Sequence, residues 1–452
     1  MEARYACRWC GYDSPLDKPL PRCPICGSPL EIETRGQAST ALSGSGIWRY
    51  ARYLPPLKNK VSRGEGGTPL LRASRLGEAW GLNKLYVKDE TRNPTGSFID
   101  RGVALVVSAA LDYGYRSIYC WGEGDLGASV AAYAAVAGLS CLYEPRGPLD
   151  SLKLLQIAVY GAQIGAIRRG DEYYLWPGDP FLVEGYKTLA LEVIEELKGP
   201  PSAVVVQVGH GSLAYGLWKG FELAVQLGMI DDVPRFYAAQ EDVCAPVVGA
   251  LRGEVAEVTP AQALSGLSAD LLVVSPARLR EVVAIVRKSG GGGVAVSAKE
   301  ILFALRELAC KEGILVAPSA AVGLAALRKL REKGEIDKDE DVLIIATGSG
   351  VRSPRALVKA LGRGGVFKSR TKLAIMRLLE NETQHPYGLW RRLLARGFSL
   401  TKQAVYKHLR ELERDGYVVS WSEGRKKVYS LTEKGRQLLE SFEPDSAGGD
   451  LL

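Results

Sequence analysis

The sequence predicts a parallel α/β body with a small cysteine ribbon before it and a winged helix-turn-helix after it. Three observations predict this. Short β-branched runs alternate with amphipathic helical stretches from about Gly46 to Gly362, the pattern of a sheet covered by helices on both faces. Four of the eight cysteines are grouped as Cys7-x-x-Cys10 and Cys23-x-x-Cys26. The segment Lys368–Glu440 holds sixteen basic and eight acidic residues, a net +8 against +7 for the whole chain, so everything else carries −1. A basic excess gathered in one segment points to an anionic partner, most often nucleic acid; a solvated helical face is the alternative.

At 452 residues the chain is too long for one ordinary domain. Its 46% hydrophobic and 24% charged residues are a core-forming composition. No apolar run approaches the ~18 residues that would span a bilayer, and Met1–Cys10 lacks the apolar core of a secretory leader. A cytoplasmic location without a membrane partner is expected.

Residues 1–36 read as a zinc ribbon. Each cysteine pair sits beside a glycine, Gly11 or Gly27, so two tight turns would close Cys7, Cys10, Cys23 and Cys26 into a tetrahedral shell. Four thiolates leave no place for water, so a Zn2+ there would be structural. Two disulfides are the alternative, and they suit a cytoplasmic chain poorly. Cys120, Cys141, Cys244 and Cys310 stand in apolar surroundings and read as buried small hydrophobes.

Residues 37–362 form the body. Ser117–Cys120, Ala203–Val206 and Val342–Ile345 are strand runs, and 127–137, 188–198 and 299–312 are helical. Gly290–Gly293 reads as a loop. Gly362-Arg-Gly-Gly365 marks a linker.

Residues 367–441 follow a different pattern. Ile375, Leu378 and Leu379 share one helical face. Pro386 opens a second helix, with Leu389 and Leu393 on its stripe and Gly397 as its stop. Thr401 caps a third, which buries Val405, Leu409 and Leu412. Strands Tyr417–Trp421 and Val428–Leu431 make a hairpin, and Thr432 caps a closing helix. The third helix turns Lys402, Gln403, Tyr406, Lys407 and Arg410 to the side opposite its buried stripe, combining phosphate-seeking cations with groups that read base edges. Gln403 and Tyr406, near its start, are best placed for the major groove. Arg425, Lys426 and Lys427 at the hairpin tip would reach the neighbouring backbone or minor groove. A protein-docking module is the alternative. Lys372–Leu439 resembles the winged-helix repressors of the PadR and ArsR type, through Ala404–Glu413 and Gly416-Tyr-Val418. That resemblance implies double-stranded DNA, with palindromic sites bound by a homodimer.

The body carries an ordered set of motifs: Gly64–Leu70, Leu85–Glu90, Asn93–Gly102, Glu184–Thr188, Glu312–Ala321 and Thr347–Gly350. With the ribbon and Ile47–Tyr50, this set resembles threonine synthase, in the fold type II pyridoxal-phosphate enzymes that include cysteine synthase and the tryptophan synthase β subunit. The resemblance implies a two-lobed body with a ligand cleft between the lobes. It also implies a lysine at position 99 for the Schiff base, and here that residue is Ile99. Isoleucine has no nitrogen to offer. The family's asparagine loop is Gly122-Glu-Gly-Asp125 here, so Glu123 and Asp125 would present carboxylates that repel without a donor. Its phosphate cradle is Gly209-His-Gly-Ser-Leu213. Backbone amides of Gly209, Gly211 and Ser212 could still hold an anion, with His210 as a cation or a filler. Thr347, which in the family meets the pyridine nitrogen, is present. Lys88 and Lys187 are candidates for a relocated Schiff base.

The expectation is a ligand-responsive transcriptional regulator whose threonine synthase-like body no longer catalyses. The cleft would be lined by Thr95, Ser97, Asp125, Ser129, Lys187, Gly209, His210, Gly211, Ser212 and Thr347, and would bind an amino acid or a phosphorylated metabolite. Pyridoxal phosphate would be absent or held non-covalently. The alternatives are an active threonine synthase-like lyase with an appended DNA-binding domain, and a scaffold for a partner protein.

Overall fold

The computed structural model describes residues 2–35, 44–146, 151–254, 266–354, 369–380, 382–424 and 426–440. Two compact units divide the chain, residues 1–357 and 358–452.

The first unit opens with an antiparallel three-stranded ribbon in the order Asp13–Pro15, Glu2–Ala6, Glu31–Arg35. Its apolar side chains, Tyr5, Leu30 and Ile32, are fully buried and continuous with the core of the body. A sheet this small has no core of its own and depends on that contact.

Two sheets build the body. The larger has six strands, ordered Gly292–Val296, Arg235–Glu241, Ala203–Gln207, Asp341–Ile345, Lys84–Lys88 and Leu70–Arg72, parallel except for the last. Every residue of Ala203–Gln207 is buried, as helices on both faces require of its valine run. The smaller sheet has four parallel strands, Gln163–Ile164, Ser140–Pro145, Ser117–Gly122 and Tyr173–Leu175. Each sheet anchors one lobe.

Helix starts follow their caps. The helix expected from Thr188 begins at Pro180, because Asp179 accepts from Phe181 N at 2.8 Å and proline suits the first turn. Ser297 and Glu300 form a capping box for Ala298–Glu312. Two expectations need correction. Gly292 and Gly293 are not loop but open an edge strand, paired with Tyr237 and Ala238. The patch is glycine because the backbone passes so close: a Cβ on Gly291 would sit 1.8 Å from Phe236 O, and one on Gly293 2.8 Å from Leu251. Cys310 is exposed, on the outer face of its helix, while Cys120, Cys141 and Cys244 are buried.

The second unit contains helices Arg370–Leu378, Pro386–Ala395 and Lys402–Arg414, a hairpin of Val418–Glu423 with Lys426–Leu431, and helix Glu433–Glu440. Ile375, Leu379, Leu389, Leu393, Val405, Leu409 and Leu412 form its core, each at most 1% exposed. Thr401 caps the third helix through Ala404 N at 3.2 Å, Thr432 caps the last through Gly435 N at 3.1 Å, and Gly397 ends the second with φ +80°. This is a winged helix-turn-helix.

Candidate functional sites

Between the two lobes lies a cavity of about 110 Å³. Ile99 lies in its wall, with Phe98, Leu126, Leu182, Tyr186, Leu213 and Leu271. At one end, Gly209–Ala214 wrap the start of helix Ser212–Gln226. Gly211 takes φ +91° and no side chain caps the helix, so its first-turn N–H groups remain free to meet an anion. Ser212 Oγ itself donates to Pro177 O at 2.6 Å. Thr347 also lines the cavity, its hydroxyl accepting from Gln207 Nε2 at 2.7 Å.

Three carboxylates, of Glu123, Asp125 and Asp270, also line the cavity. Those of Glu123 and Asp125, which would repel without a donor, each have a partner. Asp125 meets Lys153 Nζ at 2.7 Å and Arg352 Nη2 at 3.1 Å, and Glu123 meets His210 Nε2 at 3.6 Å. Burial pushes the Asp125 carboxyl up, but Lys153 and Arg352 outweigh burial and hold it at about 2. Lys153, Asp270 and Arg352 were not found by sequence reasoning. Lys153 follows Asp125 by a whole helix and strand, so spacing carries no sign of their contact.

Four residues expected in the cleft do not line it. Thr95 and Ser129 lie behind the wall because Asp100 takes their hydroxyls, at 2.7 and 2.6 Å, together with Thr95 N at 2.7 Å. Burial pushes Asp100 up to about 6 against these hydrogen bonds. Ser97 is buried and bridges to Gly348 through its backbone. Lys187 turns to Glu184 and to Tyr53 O at 2.7 Å. Lys88 is fully buried, between Glu192 at 3.0 Å and Glu196 at 2.5 Å.

In the ribbon, the Sγ atoms of Cys7, Cys10, Cys23 and Cys26 lie within 4.8 Å of one another. Cys7–Cys26 and Cys10–Cys23 approach to 3.5 and 3.4 Å. Sulfurs around a tetrahedral zinc, each ~2.3 Å from the ion, would stand about 3.8 Å apart, whereas a disulfide needs ~2.05 Å. Gly11 and Gly27, both near φ +70°, let Gly11 N reach Cys7 O and Gly27 N reach Cys23 O, giving two matching turns. These four thiols could hold a metal ion. Chelation, or Cys10→Ser, is expected to lower the thermal midpoint, because unfolding the ribbon uncovers the body residues beneath Tyr5 and Ile32. Differential scanning calorimetry with and without a strong chelator checks this.

In the winged helix, Gln403, Tyr406, Lys407 and Arg410 are exposed, opposite the buried Val405–Leu409–Leu412 stripe. Lys407 and Arg410 have no ion pair among the described residues. Lys402 Nζ lies 4.8 Å from the rings of both Tyr387 and Trp390, which fixes its position. Lys427 is not at a free tip. It pairs across the hairpin with Ser422, and its ammonium is 3.4 Å from Glu413 on the third helix. Arg425 lies outside the described residues, as does the side chain of Lys426.

With these geometries in place, comparison with known proteins is decisive for lineage. A family model for pyridoxal-phosphate dependent enzymes matches residues 61–348. The chain belongs to that family. A model for the PadR-like family of transcriptional regulators matches residues 375–441, so the winged helix is a PadR-like domain. Threonine synthase of Methanocaldococcus jannaschii is 34% identical over 381 residues, 78% of this chain and 94% of the relative. That of Methanosarcina acetivorans is 33% identical over 329 residues, 69% and 81%. Among solved structures, tomato threonine deaminase isoform 2 superposes with TM-score 0.57 at 17% identity, covering 73% of this chain and 97% of that one. Diaminopropionate ammonia lyase of Escherichia coli gives 0.56 at 20%, covering 73% and 95%. Those two likenesses establish the fold alone. The body is threonine synthase-like, and no described helix is long and apolar enough to cross a membrane.

The cavity does not fit the family's covalently held cofactor. Among the residues lining it there is no lysine, and Ile99 occupies the wall. The nearby Lys153 is a poor substitute: burial lowers its affinity for a proton, but Asp125 and Asp270 outweigh burial and hold it protonated well above its ordinary range. A protonated amine does not attack an aldehyde.

Proposed function

We propose that this chain is a ligand-responsive transcriptional regulator. On this reading, residues 367–441 bind double-stranded DNA as part of a homodimer. The threonine synthase-like body, residues 37–362, senses a small molecule without transforming it, and residues 1–36 are a structural zinc ribbon. The observation that carries the reading is Ile99 in a cavity that has no lining lysine, in the same chain as a PadR-like domain with a free basic face. A cavity lined both by helix N–H groups and by carboxylates suits a ligand with an anionic group and an amine, so amino acids and their phosphorylated relatives are the first to screen. The protein is expected to act in the cytoplasm.

A working lyase with an appended DNA-binding domain is the competing reading, and the 34% identity to threonine synthase favours it. The two separate on one experiment. The purified protein is incubated with pyridoxal phosphate, reduced with borohydride and mapped by peptide mass spectrometry. The regulator reading expects no stoichiometric adduct on any single lysine. A stoichiometric adduct at one defined lysine would overturn it. A thermal-shift screen of amino acids and phosphorylated intermediates, followed by footprinting with each hit, then tests whether the ligand changes DNA occupancy.

A further inference from the structure

The charged groups of the cavity are distributed between the lobes in an unusual way. Glu123 and Asp125 follow strand Ser117–Gly122 of the smaller sheet, and Lys153 lies on helix Ser151–Val159, which packs in that same lobe. His210, Asp270 and Arg352 follow strands Ala203–Gln207, Arg235–Glu241 and Asp341–Ile345 of the larger sheet. Two ion pairs and one carboxylate–imidazole contact therefore cross the cleft. Lys153 Nζ is 2.8 Å from both carboxylate oxygens of Asp270, Asp125 Oδ2 is 3.1 Å from Arg352, and Glu123 is 3.6 Å from His210. Lys153 also joins Asp125 at 2.7 Å within its own lobe, closing Lys153, Asp125, Arg352 and Asp270 into a neutral quartet of two cations and two anions. Its side chains are largely withdrawn from water, at 4% for Lys153, 11% for Asp125, 12% for Arg352 and 24% for Asp270.

An ionic seam behaves differently from an apolar one. Separating two greasy walls exposes surface that water rejects, whereas separating ion pairs exposes groups that water solvates well, so such a seam can part at modest cost. Shut, it is specific: removing one partner leaves a poorly hydrated charge with nothing opposite. Asp125 and Asp270 line the same cavity as Ile99 and are followed in the chain by the lining residues Leu126 and Leu271, so parting of the seam would widen the cavity that Ile99 faces.

We propose that the Lys153–Asp125–Arg352–Asp270 quartet is a latch that holds the two lobes shut over the cavity, and that access to Ile99 requires Lys153 to leave Asp270 and Arg352 to leave Asp125. The latch operates whether the bound molecule is sensed or transformed, so it stands or falls apart from the regulator reading.

The test is made on the full chain. Ile99→Cys places a thiol in the cavity wall, and its reaction with a small methanethiosulfonate is followed at that position by peptide mass spectrometry, which separates it from the native cysteines. Adding Lys153→Met or Asp270→Asn is expected to speed labelling at position 99 about tenfold or more. The double variant should gain little over either single one, because both break the same contact. In the parent Ile99→Cys protein, raising salt from ~0.05 to ~1 M should also speed labelling, because each parting hydrates the four charges and salt then screens their return to one another. Near-UV circular dichroism establishes that each variant is folded. Unchanged labelling in a folded Lys153→Met variant overturns the latch. Should the variants fail to fold, the salt series on the parent decides alone: a rate independent of salt overturns the latch, and acceleration supports it.

Discussion

Arg101→Met is expected to cost about 3–5 kcal/mol of folding stability, the range seen when one partner of a buried ion network is removed. Arg101 is fully buried. Its Nε and Nη2 donate to the Glu90 carboxylate at 2.7 and 2.8 Å, and Nη1 and Nη2 donate to Glu192 at 2.7 and 2.8 Å. Thr188 Oγ1 and Thr68 Oγ1 accept the remaining bonds at 3.2 and 3.1 Å. Every donor of the guanidinium is used, and methionine, of similar length and unable to donate, would leave two buried carboxylates facing each other. For a body of this size the loss corresponds to a fall in thermal midpoint of roughly 10 °C. The pH dependence has a definite sign. Burial pushes Glu192 up, but Arg101 and then Lys88 outweigh it and hold the carboxyl at about 2. A carboxyl whose folded pKa is depressed adds stability above its unfolded value and loses it as pH falls through the folded one. The native chain should therefore lose this contribution between about pH 4.5 and pH 2. The variant, whose Glu192 has lost its guanidinium partner, should lose less over that range. Urea titrations across pH check both statements.

That network also explains what was legible in the sequence. The motifs that gave the fold away, Gly64–Leu70, Leu85–Glu90 and Asn93–Gly102, supply Thr68, Lys88, Glu90 and Arg101. All of them are buried around Glu192 in the helix Pro180–Leu197. They are scaffold: a bidentate guanidinium and its carboxylates tolerate little change in geometry, so their order reports the architecture and says little about chemistry. Strand runs and capping residues were legible for local reasons, as at Thr401 and Thr432. The cavity was only half legible. Ile99, Asp125, His210 and Thr347 sit inside recognisable motifs and do line it. Lys153, Asp270 and Arg352 come from three separate segments that only the folded chain brings together, and no pattern in period or spacing encodes a contact of that kind. Thr95 and Ser129 were misplaced because a motif shows where a residue sits along the chain but not that a neighbour, Asp100, has already claimed its hydroxyl.

The largest effect on DNA binding is expected from the pair Lys407→Ala and Arg410→Ala. The four exposed cations near the recognition face are not equivalent. Lys402 is held between Tyr387 and Trp390, and Lys427 is drawn to Glu413. Both already have local partners to give up. Lys407 and Arg410 extend from the exposed side of Lys402–Arg414 with no ion pair among the described residues, so neither has a paired carboxylate to give up on meeting phosphate. Losing one phosphate contact weakens binding about equally at every sequence and lowers the salt slope by about 1, and losing a base-reading arginine costs ~1–3 kcal/mol. Together the two changes should weaken binding by at least about thirtyfold near 0.1 M salt, reducing the slope of log affinity against log salt by up to about 2. Both side chains are exposed, so stability should change little, and the thermal midpoint serves as the control. Gln403→Ala, at the start of the same helix, should leave the slope unchanged but relax sequence preference, since an amide reads base edges and carries no charge. Fluorescence anisotropy over a salt series, using the chain's own upstream DNA and an unrelated duplex, distinguishes these outcomes. If the double variant kept both affinity and salt slope, the basic excess of this module would have another target, and the protein-docking reading would take its place.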